Sequence, residues 1–163
     1  MGGGKPGRVL AGRPLVAHVA DALAAACDQV VVVAKADSEL PALPGVERWD
    51  EPAEPRHPAA GIAYALERAG APLLVCAADM PFVTAAACRA LIEAAGPAVA
   101  VAEGRLQPLL AVYEPAAARS LRAAAEAGEP LTRAVERLAP LRVELPAALV
   151  RSVDTPEDLD SAR

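Results

Sequence analysis

The sequence predicts a three-layer α/β fold in which helices cover both faces of a mostly parallel sheet. Short unbroken apolar runs alternate with amphipathic stretches of helical period, and turn residues separate the two kinds of segment. Unbroken apolar runs are typical of parallel strands, which are buried on both faces. With 163 residues, 54% of them apolar, residues 1–163 are expected to form a single domain around one core.

The first half of the sequence predicts two helices and three strands. Pro14 suits the first turn of a helix of about 13 residues, whose apolar face includes Leu15 and Val19. A second helix, with Leu66 on its buried side, ends at Gly70. Prolines between residues 51 and 58 predict an irregular loop before it. Strands are predicted at residues 30–33, 46–49 and 73–78.

The second half predicts further helices and strands. A helix at residues 84–95 is expected to direct Cys88, Leu91 and Ile92 inward. Residues 103–108 are predicted to form a loop between two apolar strands. The remaining predicted elements are strands at 98–102, 109–113, 142–145 and 148–153, and helices at 115–127, 130–138 and from 155 onward.

Composition narrows the class of partner. The net charge of -5 and the pI near 5.1 supply no basic face for a nucleic acid or a membrane surface, and 2% aromatic residues leave no stacking platform for bases. No apolar run approaches the roughly 20 residues that span a bilayer. Cys27, Cys76 and Cys88 are widely spaced in apolar stretches, as expected of free thiols in a reducing cytosol. We therefore expect a cytoplasmic, monomeric protein that binds a small-molecule substrate.

A glycine-rich loop that ends in lysine opens the sequence, with Gly3 and Gly4 directly before Lys5. Glycines let backbone N–H groups approach a phosphate, and a lysine adds a positive charge. A buried strand normally delivers such a loop, and none precedes this one in the sequence. We therefore predict that these residues bind nucleotide phosphates, in a fold whose first strand is missing from residues 1–163.

Two aspartates follow predicted strands, at the edge where open α/β sheets bind ligands. Asp79 follows the apolar run at 73–78, so its carboxylate is a candidate ligand for Mg2+ held against phosphates. Its alternative role is to cap the following turn. Asp50 follows the strand at 46–49. Its carboxylate is suited to accept hydrogen bonds from the N1–H and N2 amine of guanine, or it is a solvated loop acid.

Lys35, Gln107 and Asp154 are also predicted near strand ends, and Gln107 and Asp154 are the candidates for contact with a second substrate. His57 precedes a helix and is interpreted as a loop histidine. The sequence contains no G-x-x-x-x-G-K-[ST] motif, no nucleophile elbow, and no serine or cysteine beside a histidine. These residues indicate an enzyme that aligns a nucleoside triphosphate with magnesium for direct attack by a second substrate, without a covalent enzyme intermediate.

Six segments, in order along the chain, carry a resemblance to a known family. They are Met-Gly-Gly-Gly-Lys at 1–5, Ala-Gly-Arg-Pro-Leu-Val-Ala-His-Val at 11–19, Pro-Ala-Ala-Gly-Ile at 58–62, Cys-Ala-Ala-Asp-Met-Pro at 76–81, Gln-Pro-Leu at 107–109 and Asp-Thr-Pro-Glu-Asp-Leu at 154–159. With them the chain resembles the molybdenum cofactor guanylyltransferases and their MobA-like relatives among the nucleotidyltransferases. The resemblance implies a Rossmann-like three-layer α/β/α fold that binds GTP and Mg2+, transfers GMP to the molybdopterin cofactor and releases pyrophosphate.

By position, the resemblance implies a role for several residues. Lys5 would contact the triphosphate beside Gly3 and Gly4, Asp50 would contact the guanine, and Asp79 would contact the magnesium ion and the phosphates. Lys5 and Asp79 would therefore be the catalytic residues. The family pattern starts with an apolar strand and a Leu-Ala-Gly-Gly-x-Ser-x-Arg loop, which residues 1–163 lack, and in such sheets the first strand lies between others. We expect its absence to expose apolar strand edges and to make the protein poorly stable or prone to aggregation.

Other functions remain open from the sequence. Val33, His57, Ser152 and Asp154 stand where family members carry other residues. Cytidylyl transfer, or guanylyl transfer to a phosphorylated small acid, is therefore an alternative, and an inactive truncated relative is another. A receiver-like signalling domain would also place an acid such as Asp79 at a strand end with magnesium, although such domains normally carry an acidic pair after the first strand.

Overall fold

The computed structural model describes residues 8–153, so Gly3, Gly4, Lys5, Asp154 and the helix predicted from residue 155 lie outside the described residues. Within them the helices are α1 (Leu15–Ala24), α2 (Pro58–Ala69), α3 (Ala85–Glu93), α4 (Ala118–Glu126) and α5 (Leu131–Arg137). The strands are β1 (Val9–Leu10), β2 (Arg13–Pro14), β3 (Val31–Lys35), β4 (Glu47–Glu51), β5 (Leu73–Cys76), β6 (Ala98–Ala102), β7 (Arg105–Tyr113) and β8 (Leu141–Glu144). None of these helices is long and apolar enough to cross a membrane.

The described strands form three hydrogen-bonded sheets. β1 and β2 make a short antiparallel hairpin, β3 and β4 make a parallel pair, and the largest sheet has the order β5-β7-β6-β8. In the largest sheet β6 and β8 are parallel, whereas β7 runs antiparallel to both β5 and β6. The predicted α/β fold is confirmed, and β7 adds antiparallel pairing that the sequence pattern does not predict.

The direction of β7 follows from the turn before it. Ala102 pairs with Arg105, which leaves Glu103 and Gly104 as a two-residue loop. Both loop residues have positive φ, 50° and 72°, as in the type I′ turn that suits the twist of a hairpin. The strand therefore begins at Arg105, and the longer loop predicted at 103–108 is wrong.

Helix α2 has a defined signal at each end. At its start, the His57 side chain accepts a hydrogen bond from the Ala59 N–H, 3.2 Å away, and Pro58 occupies the first turn. At its end, Gly70 has a φ of 62°, a left-handed conformation that glycine adopts without steric cost, and its N–H donates to the Leu66 carbonyl. His57 is thus a helix cap in this structure.

Helices cover both faces of the largest sheet. In β6, Val99 belongs to one apolar cluster, whereas its neighbours Ala98 and Ala100 belong to another, because successive strand side chains point to opposite faces. The first cluster contains side chains of α2, α4 and α5, and the second contains side chains of α1 and α3. The described residues therefore form helix, sheet and helix layers, as the sequence predicts.

Two further predictions are wrong. Ile92 is expected to face inward, but it is 41% exposed, because α3 directs Cys88 and Leu91 to the core and leaves Ile92 outside that arc. The strand predicted at 148–153 is replaced by a 3-10 turn at Ala147–Leu149, and residues 151–153 belong to no strand. The segment at 151–153 is therefore held by the turn before it and by the hydrogen bond from the Val153 N–H to the Asp79 carbonyl, and not by pairing with a strand.

Candidate functional site

Asp79 lies where the sequence predicts it, just beyond the carboxyl end of β5, and it is half-buried. The backbone around it is held on two sides. The Ala77 N–H donates to the Leu109 carbonyl at 2.8 Å, and the Val153 N–H donates to the Asp79 carbonyl at 2.9 Å. Met80, which follows, is only 5% exposed. The backbone at Asp79 is therefore held by the sheet on one side and by the segment at 151–153 on the other.

Gln107 lies at the same edge of the sheet as Asp79. β5 and β7 are paired as far as Cys76 and Leu110, and the Ala77 N–H donates to the Leu109 carbonyl, so Gln107 lies in the part of β7 just beyond the end of β5, where the chain turns at Asp79. Gln107 is half-buried, and its side-chain amide is 3.5 Å from the Arg105 carbonyl. From the sequence, Gln107 is expected in a loop. It lies in β7 instead, because the hairpin turn ends at Gly104 and the strand begins at Arg105.

An apolar cluster beside this edge joins segments that are distant in sequence. Leu10, Leu15 and Val153 are buried together, and Phe82 packs against them. The Arg151 guanidinium lies over the Phe82 ring, 4.6 Å from its centre, in a cation–π arrangement. The β1–β2 hairpin, the loop after Asp79 and the segment at 151–153 therefore meet at one place. Asp154 directly follows this segment but lies outside the described residues.

Asp50 differs from its prediction in two respects. It is the fourth residue of β4 and does not follow the strand, and it is exposed. Its Oδ1 accepts a hydrogen bond from the Arg48 Nε at 2.7 Å. Arg48 also donates to three carbonyls at the end of β3, those of Lys35, Ala36 and Ser38. Asp50 lies in the β3–β4 pair, whereas Asp79 follows β5 of the largest sheet.

A buried ion pair, Lys35 with Glu51, lies at the carboxyl ends of β3 and β4. The Lys35 Nζ is 3.3 Å from the Glu51 Oε2, and the two side chains are 10% and 13% exposed. Lys35 also donates to the carbonyls of Pro52 and Pro55, at 2.5 and 3.1 Å. The ion pair thus anchors the proline-rich loop that leads into α2.

The sequence leaves the role of Lys35 open and does not single out Glu51. The sequence did carry one indication that Lys35 is more than a surface charge. The chain contains two lysines, and Lys35 ends an apolar strand, where charged residues are rare. Gly61 provides the space for the partner, because a Cβ there would lie 3.0 Å from the Glu51 Oε2. The small residue at the start of α2 therefore accommodates a carboxylate of this chain.

Burial suppresses the reactivity of the cysteines near the site. Burial, with smaller contributions from Cys88 and Asp79, raises the pKa of the Cys76 thiol from 9.0 to about 12. Burial likewise raises the pKa of the Cys88 thiol to about 11. All three cysteines are free, as predicted. Because the thiolate is the nucleophile, Cys76 and Cys88 are poorly suited to covalent catalysis at neutral pH.

The carboxylate of Asp79 suits a metal ion whose other ligands come from a bound substrate. Within residues 8–153, no three His, Cys, Asp or Glu side chains are grouped to hold a metal. Mg2+ is usually bound through one or two carboxylates together with substrate phosphates, and it rarely occupies an all-protein cage. Asp79 at the edge of the sheet fits this mode of binding, in which a nucleotide supplies the remaining oxygen ligands.

The comparisons with known proteins agree with this architecture. The profile of the family described as MobA-like NTP transferase domain matches residues 1–144. A comparison with curated proteins gives no match.

Several solved structures share the fold. Molybdopterin-guanine dinucleotide biosynthesis protein A from Archaeoglobus fulgidus is 24% identical with a TM-score of 0.74, over 97% of this chain and 88% of that one. The 2-C-methyl-D-erythritol 4-phosphate cytidylyltransferase from Thermus thermophilus is also 24% identical with a TM-score of 0.74, over 99% of this chain and 93% of that one. A Mycobacterium tuberculosis protein in complex with manganese is 15% identical with a TM-score of 0.71, over 97% and 90% of the two chains.

Proposed function

This chain belongs to the family of MobA-like NTP transferase domains, and on that premise we propose that it transfers GMP from GTP to the molybdopterin cofactor and releases pyrophosphate. The resemblance of six sequence segments to the molybdenum cofactor guanylyltransferases supports the choice of acceptor, and the Archaeoglobus fulgidus protein shares the fold over nearly the whole of this chain. We propose further that residues 1–163 act as one domain and as a monomer in the cytoplasm, in keeping with the acidic composition and the free cysteines.

The observation that carries the proposal is the convergence of three chain segments at Asp79. Gln107 comes from β7, Arg151 and Val153 come from the segment after β8, and both segments border the carboxyl end of β5. Open α/β sheets bind ligands at this edge. In the proposed complex the triphosphate lies at Asp79, and the acceptor lies between Gln107 and residues 151–154.

Each residue of the site has a proposed task. Asp79 would hold a Mg2+ ion, which offsets negative charge on the phosphates and on the departing pyrophosphate. Lys5, with Gly3 and Gly4, would bind the triphosphate. Asp50 would accept hydrogen bonds from the guanine edge, in exchange for its hydrogen bond with Arg48.

The reaction requires alignment and charge neutralisation more than covalent chemistry by the protein. The backbone hydrogen bonds at Ala77 and Val153 hold Asp79 in place before the substrate arrives. The raised pKa of the Cys76 thiol, about 12, keeps that nearby group neutral and leaves the acceptor phosphate as the nucleophile.

A cytidylyltransferase is the second candidate. The Thermus thermophilus cytidylyltransferase matches this chain with the same identity and the same TM-score as the Archaeoglobus fulgidus protein. Fold similarity therefore supports both bases equally, and Asp50 is the residue on which the preference for guanine rests.

The test is release of pyrophosphate from GTP, CTP and ATP in the presence of Mg2+ and the molybdopterin cofactor. GTP is expected to be the preferred donor, and Asp79→Asn is expected to lower kcat/KM by at least about 100-fold, because a group that stabilises developing charge is lost. Asp21→Asn is the matched control, since Asp21 is an exposed acid of α1 paired with Arg13. Preference for CTP would favour the second candidate, and full turnover by Asp79→Asn would contradict the assignment of the site.

A further inference from the structure

The Arg48 guanidinium lies among oxygen acceptors at the carboxyl ends of β3 and β4. Its Nε donates to the Asp50 Oδ1 at 2.7 Å. Its Nη2 donates to the carbonyls of Lys35 and Ala36 at 2.9 and 3.2 Å, and its Nη1 donates to the Ser38 carbonyl at 3.2 Å. The carboxylate and the three carbonyls therefore form one group of acceptors around a single guanidinium, which we call the acceptor cluster.

The acceptor cluster suits a planar group with several N–H donors. A guanidinium carries its donors in a rigid fork and has no acceptor. Guanine contains a similar N–C–N unit, in which the N1–H and the N2 amine are adjacent donors. The corresponding edges of cytosine and adenine place an acceptor nitrogen beside the amine. Of these three bases, guanine alone therefore presents the donor pattern that Arg48 presents in this structure.

Arg48 and guanine would use the same oxygen of Asp50. A carboxylate that accepts from both the N1–H and the N2 amine of guanine uses both of its oxygens, and Arg48 already donates to Oδ1. The guanidinium also fills the space in front of this oxygen, where it reaches the carbonyl of Lys35. The base and the Arg48 side chain therefore compete for one place.

The exposure of the two side chains permits this exchange. The side chain of Arg48 is 35% exposed and that of Asp50 is 54% exposed. The neighbouring pair of Lys35 and Glu51 is much more deeply buried, at 10% and 13%. An ion pair as open to water as that of Arg48 is weak, so a ligand that donates to the same acceptors is able to displace the side chain.

We propose that Arg48 is a specificity-determining residue, an internal competitor that occupies the guanine site and leaves it when guanine binds. The inference rests on the proposed function, which assigns the base to Asp50. Because the base binds only when Arg48 is displaced, the apparent affinity for GTP is lowered by the fraction of molecules in which Arg48 is engaged. Guanine replaces the hydrogen bonds that Asp50 loses, whereas cytosine and adenine do not, so the exchange favours guanine.

A purely structural role for Arg48 predicts a different result. Arg48 links β4 to the turn after β3, in which the Ser38 N–H donates to the Lys35 carbonyl. If nucleotides required this link, its removal would weaken the binding of all of them. Removal of an internal competitor strengthens the binding of GTP and leaves that of CTP and ATP unchanged.

Arg56 provides the matched control. It lies in the loop after β4, its side chain is 57% exposed, and it forms ion pairs with Asp37 at 2.5 Å and with Glu54 at 3.7 Å. Asp37 belongs to the same turn after β3 that Arg48 contacts. Arg56→Ala therefore removes an exposed arginine that holds this turn, while the acceptor cluster stays occupied.

The first arm of the test measures pyrophosphate release by Arg48→Ala and Arg56→Ala with Mg2+, the molybdopterin cofactor, and GTP or CTP as donor. In Arg48→Ala we expect the KM for GTP to fall at least threefold, with kcat within twofold of wild type and the KM for CTP unchanged. Arg56→Ala should change neither KM. Millimolar ethylguanidinium should raise the KM for GTP again in Arg48→Ala, whereas ethylammonium, which has the same charge without the fork, should not.

The second arm is calorimetric titration of guanosine and cytidine, which tests the base site apart from transfer. Tighter binding of guanosine by Arg48→Ala than by wild type would support the proposal even if GTP released no pyrophosphate, a result that would count against the proposed function alone. Turnover of GTP by wild type with an unchanged or higher KM in Arg48→Ala would overturn the inference and leave the proposed function standing. Equal binding of guanosine by the two proteins, undetectable binding included, would also overturn it. Circular dichroism establishes that the variants are folded, and Arg48→Gln, with the same expected results, replaces Arg48→Ala if the latter is not.

Discussion

Replacement of Lys35 by methionine is expected to lower the free energy of unfolding by about 3–5 kcal/mol, the usual cost of removing one partner of a buried ion pair. The Lys35 side chain is 10% exposed, and that of Glu51 is 13% exposed. Methionine fills a similar volume but leaves the Glu51 carboxylate buried without its cation. The carbonyls of Pro52 and Pro55 also lose their donor, in a loop already constrained by proline. Because one side chain makes all these contacts, the free-energy costs of losing them are not additive, and the expected total stays at about 3–5 kcal/mol.

The assay is urea unfolding at pH 7 followed by circular dichroism, with the slope of the transition compared between variants. Arg13→Met is the matched control, because Arg13 and Asp21 form an ion pair at 2.8 Å whose side chains are 52% and 63% exposed. The control is expected to lose less than about 1 kcal/mol. Equal losses in Lys35→Met and Arg13→Met would refute the interpretation of a buried pair.

A double variant separates the charge effect from simple loss of packing. Glu51→Gln alone should destabilise the protein, since it leaves the Lys35 ammonium buried without its counter-charge. Added to Lys35→Met, the same change should raise stability, because it removes the uncompensated carboxylate. A change of the same sign in both backgrounds would contradict the electrostatic account.

The other predictions concern the core, one helix end and one thiol. Leu66→Ala should cost about 2–5 kcal/mol in urea unfolding, because Leu66 is 0% exposed, whereas Leu141→Ala, at a residue 53% exposed, should cost much less. Gly70→Ala should cost about 1–2 kcal/mol, since alanine is strained at a φ of 62°, and an unchanged midpoint would show that this turn relaxes. The pKa of the Cys76 thiol is 9.0 in the absence of burial and about 12 in the folded protein, so stability present below pH 9 should be lost as the pH rises towards 12. Cys76→Ala should reduce this loss, and an identical pH profile would count against the raised pKa.

The elements that the sequence predicts well are those with local signals. The apolar runs at β3, β5 and β6 predict strands because an unbroken apolar segment bounded by turn residues has few other stable states. The end of helix α2 at Gly70 is predicted from the sequence, since glycine is typical of that position, whereas His57 was interpreted as a loop histidine and caps the start of the helix. The direction of β7 was not predicted, because it depends on the backbone conformation of a two-residue turn.

In the candidate site, too, the residues with local sequence signals were predicted and those that depend on distant residues were not. The position of Asp79 was predictable, because a carboxylate after an apolar strand lies at the edge of the sheet whatever the rest of the chain does. Glu51 was missed, since its role depends on Lys35 and on the space left by Gly61, which are distant in sequence. Asp50 was predicted to follow its strand, and it lies within β4 because the pairing with β3 extends to Glu51.

The most direct test of the central claim is calorimetric titration of GTP with Mg2+ into the 163-residue protein, with CTP and ATP as controls and Asp79→Asn as the matched variant. We expect saturable binding of GTP that requires Mg2+ and is lost in Asp79→Asn. Binding of GTP with equal affinity by the folded Asp79→Asn variant, or with equal affinity in the absence of Mg2+, would contradict the claim that this edge of the sheet is a metal-dependent nucleotide site.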